Sequence, residues 1–357
     1  MKILRLTTLL DFGGQEKKYI SFTEKPELLH HTYVFAAIGF GGNAEKTLRE
    51  RGFEVHILNR NFSIKNLSNI WEVYKLIKKI KPDVVHTAAA EANFHGIIAA
   101  KLAGVKTIIG EEIGIPNHSP TAQKVFSLVY RFANKVIGVS QSVKNHLVKT
   151  REITDQKGIV VYNPVSLVKV PNPDKALNPE KVQFNIVYVG RLEKVKNVET
   201  LLKSFSKIQN KAVHLNIIGE GRERESLQRL AKELNINGKV SFKGFQKEPA
   251  QFIAQADLFV LPSYSEGFGI AAVEAMFQKV PVLCSNVGGI PEFVKNDENG
   301  WLFNPLNVEE LTSKMERIIS MDDAERIQIG EKGYCDVINK FTVEKYIEDL
   351  ENIYTNE

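Results

Sequence analysis

Cysteine is nearly absent: two occur in 357 residues, Cys284 and Cys335. That excludes a disulfide framework and a thiolate metal site, and it suits a reducing cytoplasm, where both would serve as small buried hydrophobes. Long apolar runs are missing too, none approaching the roughly 18 residues that would span a membrane. The start, "MKILRLTTLL", soon meets "DFGGQEKK" and lacks a small-residue cleavage site, so it reads as a first buried strand rather than a signal peptide. No basic cluster interleaved with stacking aromatics is present, which argues against nucleic acid as a partner. With 43% hydrophobic and 25% charged residues, the chain is globular and long enough for two domains with separate cores.

Charge is unevenly divided. Residues 1–165 carry 23 Lys and Arg against 14 Asp and Glu, whereas the remainder carries 24 against 28. Within the basic half, "WEVYKLIKKIKP" sets Trp71 and Tyr74 among Lys75, Lys78, Lys79 and Lys81. This composition suits the surface of an anionic membrane. The helical spacing favours a plainer reading, an amphipathic helix that packs Trp71, Tyr74 and Ile77 on the core and solvates its lysines.

Short runs rich in Val and Ile alternate with helical patterns along the whole chain. "KILRLTT", "TYVFAAIG", "FEVHILN", "DVVHTAA", "KTIIG", "KVIGVS" and "GIVVY" predict one parallel sheet covered by helices. "FNIVYVG", "VHLNIIG", "KVSFKG", "DLFVLP" and "VPVLCS" predict a second, with helices near 197–209, 223–234, 249–255 and 269–278. Between them, three Asn-Pro pairs without periodicity mark a linker. The expected organisation is an α/β chain of two doubly wound domains, 1–165 and 184–340, joined by a linker at 166–183 and facing a central cleft. A C-terminal helix in 341–357, apolar at Val343, Tyr346, Ile347, Leu350 and Ile353, would pack outside the second sheet or cross back to the first domain.

Ligands of such sheets sit at the carboxyl ends of strands, so those ends carry the chemistry. "YSEGFGIAAVEA" places Glu266 and Glu274 around a Gly-x-Gly turn that opens a helix, whose free amides and dipole suit a phosphate. After "IVYVG", Arg191 and Lys196 lie in one strand-to-helix loop and offer two cations suited to a diphosphate. Gly13 and Gly14 in "LDFGGQEK" make a similar turn in the first domain. Gly219-x-Gly221 follows a strand, but Arg224 stands where a third glycine would complete a dinucleotide fingerprint.

Together these segments resemble the retaining glycosyltransferases of family 4, which have the two-domain GT-B fold. The resemblance rests on "LDFGGQEK", "VGRLEKVKN", "IGEGRERESLQRLAKEL", "VSFKGF", "ADLFVLPSYSEGFGIAAVEAM", "VPVLCSNVGGIPEFV" and "ENGWLF", in family order. It implies that the second domain binds a nucleotide sugar and the first an acceptor. By that resemblance Arg191 and Lys196 hold the diphosphate, Glu266 takes donor-sugar hydroxyls and Glu274 the ribose hydroxyls. Gly13, Gly14, Gly190, Gly244, Phe245, Gly267, Phe268, Gly269 and Ile270 line the donor, with the base reached through backbone near Gly244 and Phe245. A carboxylate accepts hydrogen bonds from vicinal hydroxyls, which explains acidic residues beside a phosphate site.

Charge develops on the departing diphosphate, so stabilising it should supply most of the catalysis. Arg191, Lys196 and the amides of Phe268 to Ile270 suit that task, and with no Asp-x-Asp motif at a strand end the expected transfer needs no metal or other cofactor. With retention, the leaving phosphate can take the acceptor's proton. The first domain departs from the family pattern: Ala88 stands where a histidine often follows two residues after the position of His86, and Ile113 stands after Glu112 where another is frequent. Glu91, His95 and Glu112 remain as acceptor-side candidates. Two alternatives stay open, a subunit that binds nucleotide sugar without transferring it and a nucleotide-sugar epimerase. The expected partners are a UDP- or GDP-linked donor and a glycan or lipid-linked acceptor of polysaccharide or glycoconjugate assembly, handled in the cytoplasm or at the inner membrane face.

Overall fold

The computed structural model describes residues 1–11, 13–166, 183–210 and 212–355. The chain divides into two compact units, Met1–Ser166 with Thr342–Glu357, and Leu167–Phe341. The expected linker at 166–183 lies, apart from its two end residues, outside the described residues.

The first unit alternates β1 (Lys2–Thr7), α1 (Gly14–Phe22), β2 (Thr32–Ala37), α2 (Asn43–Glu50), β3 (Glu54–Ile57), α3 (Ser68–Ile80), β4 (Val84–Ala88), α4 (Ala90–Ala103), β5 (Thr107–Glu112), α5 (Pro120–Arg131), β6 (Lys135–Gly138), α6 (Gln141–Lys149) and β7 (Gly158–Val160). All its strand pairs are parallel, in the order β3-β2-β1-β4-β5-β6-β7. Local chemistry sets the boundaries: Ser119 and Ser140 cap α5 and α6 through side-chain oxygens, and α4 stops at Gly104, which takes the left-handed conformation at φ 78°.

The second unit runs β8 (Phe184–Val189), α7 (Val198–Phe205), β9 (Val213–Ile218), α8 (Arg224–Glu233), β10 (Val240–Gly244), α9 (Ala250–Ala254), β11 (Leu258–Leu261), α10 (Ile270–Phe277), β12 (Val282–Ser285), β13 (Trp301–Phe303), α11 (Val308–Ser320) and α12 (Asp323–Val337). Its parallel sheet has the order β10-β9-β8-β11-β12-β13. The order reverses at β1/β4 in one sheet and at β8/β11 in the other, and at such a reversal the loops diverge to leave room for a ligand.

The last helix, α13 (Val343–Thr355), belongs to the first unit. Val343, Tyr346, Ile347, Leu350 and Tyr354 enter a core shared with Ile3, Tyr19, Phe22, Phe35 and Ile109, while Ile353 packs at its margin. A polar network lies inside this apolar interface. Glu111 of β5 accepts from Arg5 of β1 at 3.3 Å and pairs with Lys18 of α1, and its Oε2 lies 3.1 Å from His86 Nε2. Arg5 also donates to the hydroxyls of Tyr354 and Tyr346 at 3.1 and 3.3 Å, and Tyr354 meets His86 Nδ1 at 2.6 Å. Burial opposes ionisation of Glu111, yet Lys18, His86 and Arg5 hold its carboxyl well below the usual carboxylate range. Burial and the Arg5 charge push His86 down to about 3, so it stays neutral.

The pattern of α3 corrects the packing expected for Trp71. Its buried face is Asn69, Val73, Leu76, Ile77 and Ile80, and Trp71 is 57% exposed. One carboxylate answering two buried cations makes Glu111 the vulnerable member of the network. Glu111→Gln is therefore expected to cost about 3–5 kcal/mol and to raise hydrogen exchange throughout α13, measured by denaturant unfolding and exchange mass spectrometry; an unchanged α13 would contradict this.

Candidate functional site

In the second unit the site forms where β8 and β11 lie side by side. Arg191 and Lys196 follow β8, and Glu266 follows β11. Lys196 Nζ donates to Glu266 Oε1 at 2.5 Å, and Ser263 Oγ donates to the same oxygen at 2.7 Å. Glu266 Oε2 has no hydrogen bond among the described residues, and both members of the pair are largely buried. Arg191 is exposed and makes no ion pair among the described residues; its carbonyl accepts from the Tyr188 hydroxyl at 3.0 Å. Sequence reasoning assigned the two charges of the Lys196–Glu266 pair to different ligand groups and did not anticipate that they pair.

The loops behind this pair are tied by residues whose roles the sequence did not disclose. Asn197 Nδ2 donates to the carbonyls of Pro262 and Pro305, both at 3.0 Å, which joins the Lys196 loop to the ends of β11 and β13. Tyr264 N donates to Val195 O at 2.8 Å, and Ser285 Oγ to Ser263 O at 2.6 Å. Gly288, at φ 55°, packs so closely that a Cβ would strike the Glu266 carbonyl, and Gly289 N donates to that carbonyl at 3.3 Å. A Cβ at Gly219 or Gly221 would strike the backbone of Gly190 or Leu192. The Gly-x-Gly after β9 thus serves backbone packing against the Arg191 loop, which accounts for its missing third glycine.

The remaining donor-side candidates of the second unit fall at the same sheet edge. Gly269, at φ 103°, caps α10, so the amides of Phe268, Gly269 and Ile270 lie at a helix start, with Gly267 just before them and Glu274 half-buried one turn on. The Phe268 side chain is buried against Phe293 and Phe341, so only its backbone can meet a ligand. Gly244 ends β10 at φ 70° and its carbonyl accepts from Gly219 N at 2.9 Å, while Phe245 is exposed beyond it. Gly13 and Gly14 open α1 in the other unit.

The acceptor-side candidates are not all presented to solvent. Glu91, in the first turn of α4, is half-buried and accepts from Thr8 Oγ1 at 3.2 Å. His95 is fully buried, with Nε2 3.2 Å from the Ser63 carbonyl and its ring edge-on to Phe94, so it packs rather than presents a group. Glu112 is buried too, accepting from Tyr130 and, at 3.1 Å, from Asn93 Nδ2. Of the three candidates only Glu91 is partly exposed, and His95 follows the packed reading. Ala89, between β4 and α4, adopts φ 78°, a region that costs a β-carbon residue strain at this sheet edge. One residue was missed: His118 stacks on Phe126 at 4.2 Å and meets Glu152 at 2.8 Å, and Glu152, Glu112 and Glu91 draw its pKa upward against burial.

Known proteins match this architecture. The family description "Glycosyl transferases group 1" fits residues 171–335, and "Glycosyltransferase Family 4" fits residues 23–169. A UDP-Gal:alpha-D-GlcNAc-diphosphoundecaprenol alpha-1,3-galactosyltransferase of Escherichia coli is 28% identical over 326 residues, 85% of this chain and 83% of that protein. The capsular polysaccharide biosynthesis glycosyltransferase CapM of Staphylococcus aureus is 28% identical over 331 residues, 87% of each chain. The crystal structure of Anabaena HepE in complex with UDP and glucose superimposes over the full length of both chains with a TM-score of 0.87 at 22% identity. The two sheets are those of the GT-B fold. The chain belongs to glycosyltransferase family 4 and is a glycosyltransferase.

Burial raises the Glu112 carboxyl to about 7, against the hydrogen bonds from Tyr130 and Asn93. A folded pKa above the ordinary 4.5 means that the stability it contributes is complete below pH 4.5 and is lost as pH rises through about 7. Glu112→Gln, which mimics the protonated acid, should flatten the stability–pH curve between about pH 5 and 8, removing a loss of up to about 3 kcal/mol. Unfolding midpoints across that range check this; an unaltered curve would contradict it.

Proposed function

We propose that this glycosyltransferase moves a sugar, with retention, from a UDP-linked donor to a lipid- or glycan-linked acceptor in polysaccharide or glycoconjugate assembly. The observation that carries the reading is the Lys196–Glu266 pair beside exposed Arg191 at the strand-order reversal. UDP is favoured over GDP because the HepE structure contains it and the E. coli relative is named for UDP-Gal; that relative's name also specifies a diphosphoundecaprenol-linked acceptor.

Lys196 exchanges the Glu266 carboxylate for the donor diphosphate, and Arg191 joins it. The freed Glu266 then accepts from donor hydroxyls, starting with the open Oε2. As the bond from the anomeric carbon to the β-phosphate oxygen breaks, negative charge grows on the phosphate and the two cations and the α10 amides stabilise it. The acceptor oxygen bonds to the anomeric carbon from the same face, and its proton passes to the departing phosphate oxygen. No side-chain base is required, in keeping with buried His95 and Glu112. Lys196→Ala should lower transfer by about 10²–10³-fold and weaken UDP binding. Glu266→Gln should lower transfer while UDP binds as well or better, because Lys196 is released. Calorimetry and turnover separate these, and wild-type transfer by both variants would refute the assignment.

Fixed cations take the place of a divalent ion in this scheme. Turnover is thus expected to be unchanged by a chelator; activity lost to chelation and restored by magnesium would overturn it.

The acceptor chemistry points to a lipid surface. Exposed Trp71 stacks on Tyr74 at 5.0 Å, with Lys75 Nζ 5.8 Å over its ring and Lys78 and Lys79 in the last turn of α3. Among the described residues no helix is long and apolar enough to cross a membrane, so contact would be peripheral. Flotation with vesicles containing phosphatidylserine should recover the protein, and Trp71→Ala should reduce recovery. Equal failure with anionic and phosphatidylcholine vesicles would contradict this.

A further inference from the structure

A hollow of about 680 Å³ opens in the second unit at the carboxyl ends of β11, β12 and β13. Such a volume falls within the range of small-molecule sites. It touches the donor loops directly. Tyr264 of its lining lies two residues before Glu266, and Val287 of its lining precedes Gly288, which presses on the Glu266 backbone. Asn197 ties Pro305, also of the lining, to the Lys196 loop.

The lining differs in kind from the diphosphate site. It contains no lysine or arginine, and its one charge is the Glu310 carboxylate, so a phosphate would be repelled. Two exposed apolar groups face it, the Tyr264 ring at 45% exposure and Leu306 at 78%. Polar groups of hydroxyl-binding type stand among them. Asn304 uses Oδ1 to accept from Leu306 N at 3.0 Å and keeps its Nδ2 without a partner among the described residues. The Asn286 amide is exposed, and Glu310 accepts from Asn304 N at 3.1 Å through one oxygen only.

An aromatic face with amide and carboxylate groups around it matches a pyranose, which has apolar C–H faces and an equatorial rim of hydroxyls that both donate and accept. We propose that this hollow is a subsite for a neutral sugar unit of the acceptor, set beside the donor sugar and on the nucleotide-binding unit. The inference rests on the glycosyl-transfer reading above. It predicts that part of acceptor recognition comes from residues that touch neither the nucleotide nor Lys196.

The test uses saturation-transfer NMR with the methyl glycosides of glucose, galactose, mannose and N-acetylglucosamine, each added to full-length protein saturated with UDP. At least one glycoside should receive saturation from the wild type, and Tyr264→Ala and Asn304→Ala should each reduce that signal at least fivefold. Thermal shifts with UDP, run on the same samples, report separately on folding and on the donor site. A UDP shift retained in both variants together with a lost glycoside signal supports the subsite. If UDP shifts no sample, the donor reading fails, while the glycoside comparison still decides the subsite. Absence of saturation with every glycoside, or a signal that survives both substitutions, overturns the proposal.

Discussion

A buried carboxylate holds the site together. Glu266 is fixed from behind by Gly288 and Gly289 on its backbone and from the side by Ser263, and it holds Lys196 at 2.5 Å. An unpaired ammonium in that position would pay a desolvation cost, and an unpaired carboxylate likewise. Each therefore neutralises the other until a ligand supplies both replacement charges and replacement hydroxyls. Phosphate alone would satisfy Lys196 and strand Glu266; a sugar alone would do the reverse. Under the proposed function a sugar diphosphate would meet both demands at once, giving selectivity for the intact donor from two side chains.

The first unit spends its buried charge differently. Arg5, Lys18, Glu111 and His86 with Tyr346 and Tyr354 form a closed network beneath α13, and none of these groups is presented to solvent. That network explains why a histidine can occupy position 86 on β4 without serving an acceptor: its two nitrogens are committed to Glu111 and Tyr354. What remains at the acceptor edge is Glu91, partly buried, the strained Ala89 and, close enough to feel Glu91 and Glu112, the His118–Glu152 pair. A reaction in which the leaving phosphate takes the proton asks little of this edge beyond orientation.

Much of this was legible in the residues. Runs of Val and Ile gave twelve of the thirteen strands among the described residues, because a strand covered on both faces must be apolar throughout. Trp301–Phe303 escaped as a strand because WLF contains neither Val nor Ile, and α11 and α12 were not among the predicted helices. Arg191, Lys196 and Glu266 were picked out as candidates by their places after strands, whereas the Lys196–Glu266 pairing was not, since it depends on which strands are neighbours. Gly288 and Asn197 act through contacts 22 and 65 residues away in sequence, or more, which no local window contains. His118 was missed for the same reason: Glu152 lies 34 residues on. Trp71 was misplaced because its spacing fits a buried face, and only the packing of α3 on α4 decides which face is covered.

The exchange of partners at Lys196 is most directly tested by a crystal structure of the protein with an intact UDP-sugar bound. The account predicts that Lys196 Nζ leaves Glu266 and lies within hydrogen-bond distance of a β-phosphate oxygen, with Arg191 on the same diphosphate. A nucleotide bound elsewhere, with the 2.5 Å Lys196–Glu266 contact intact, would contradict it.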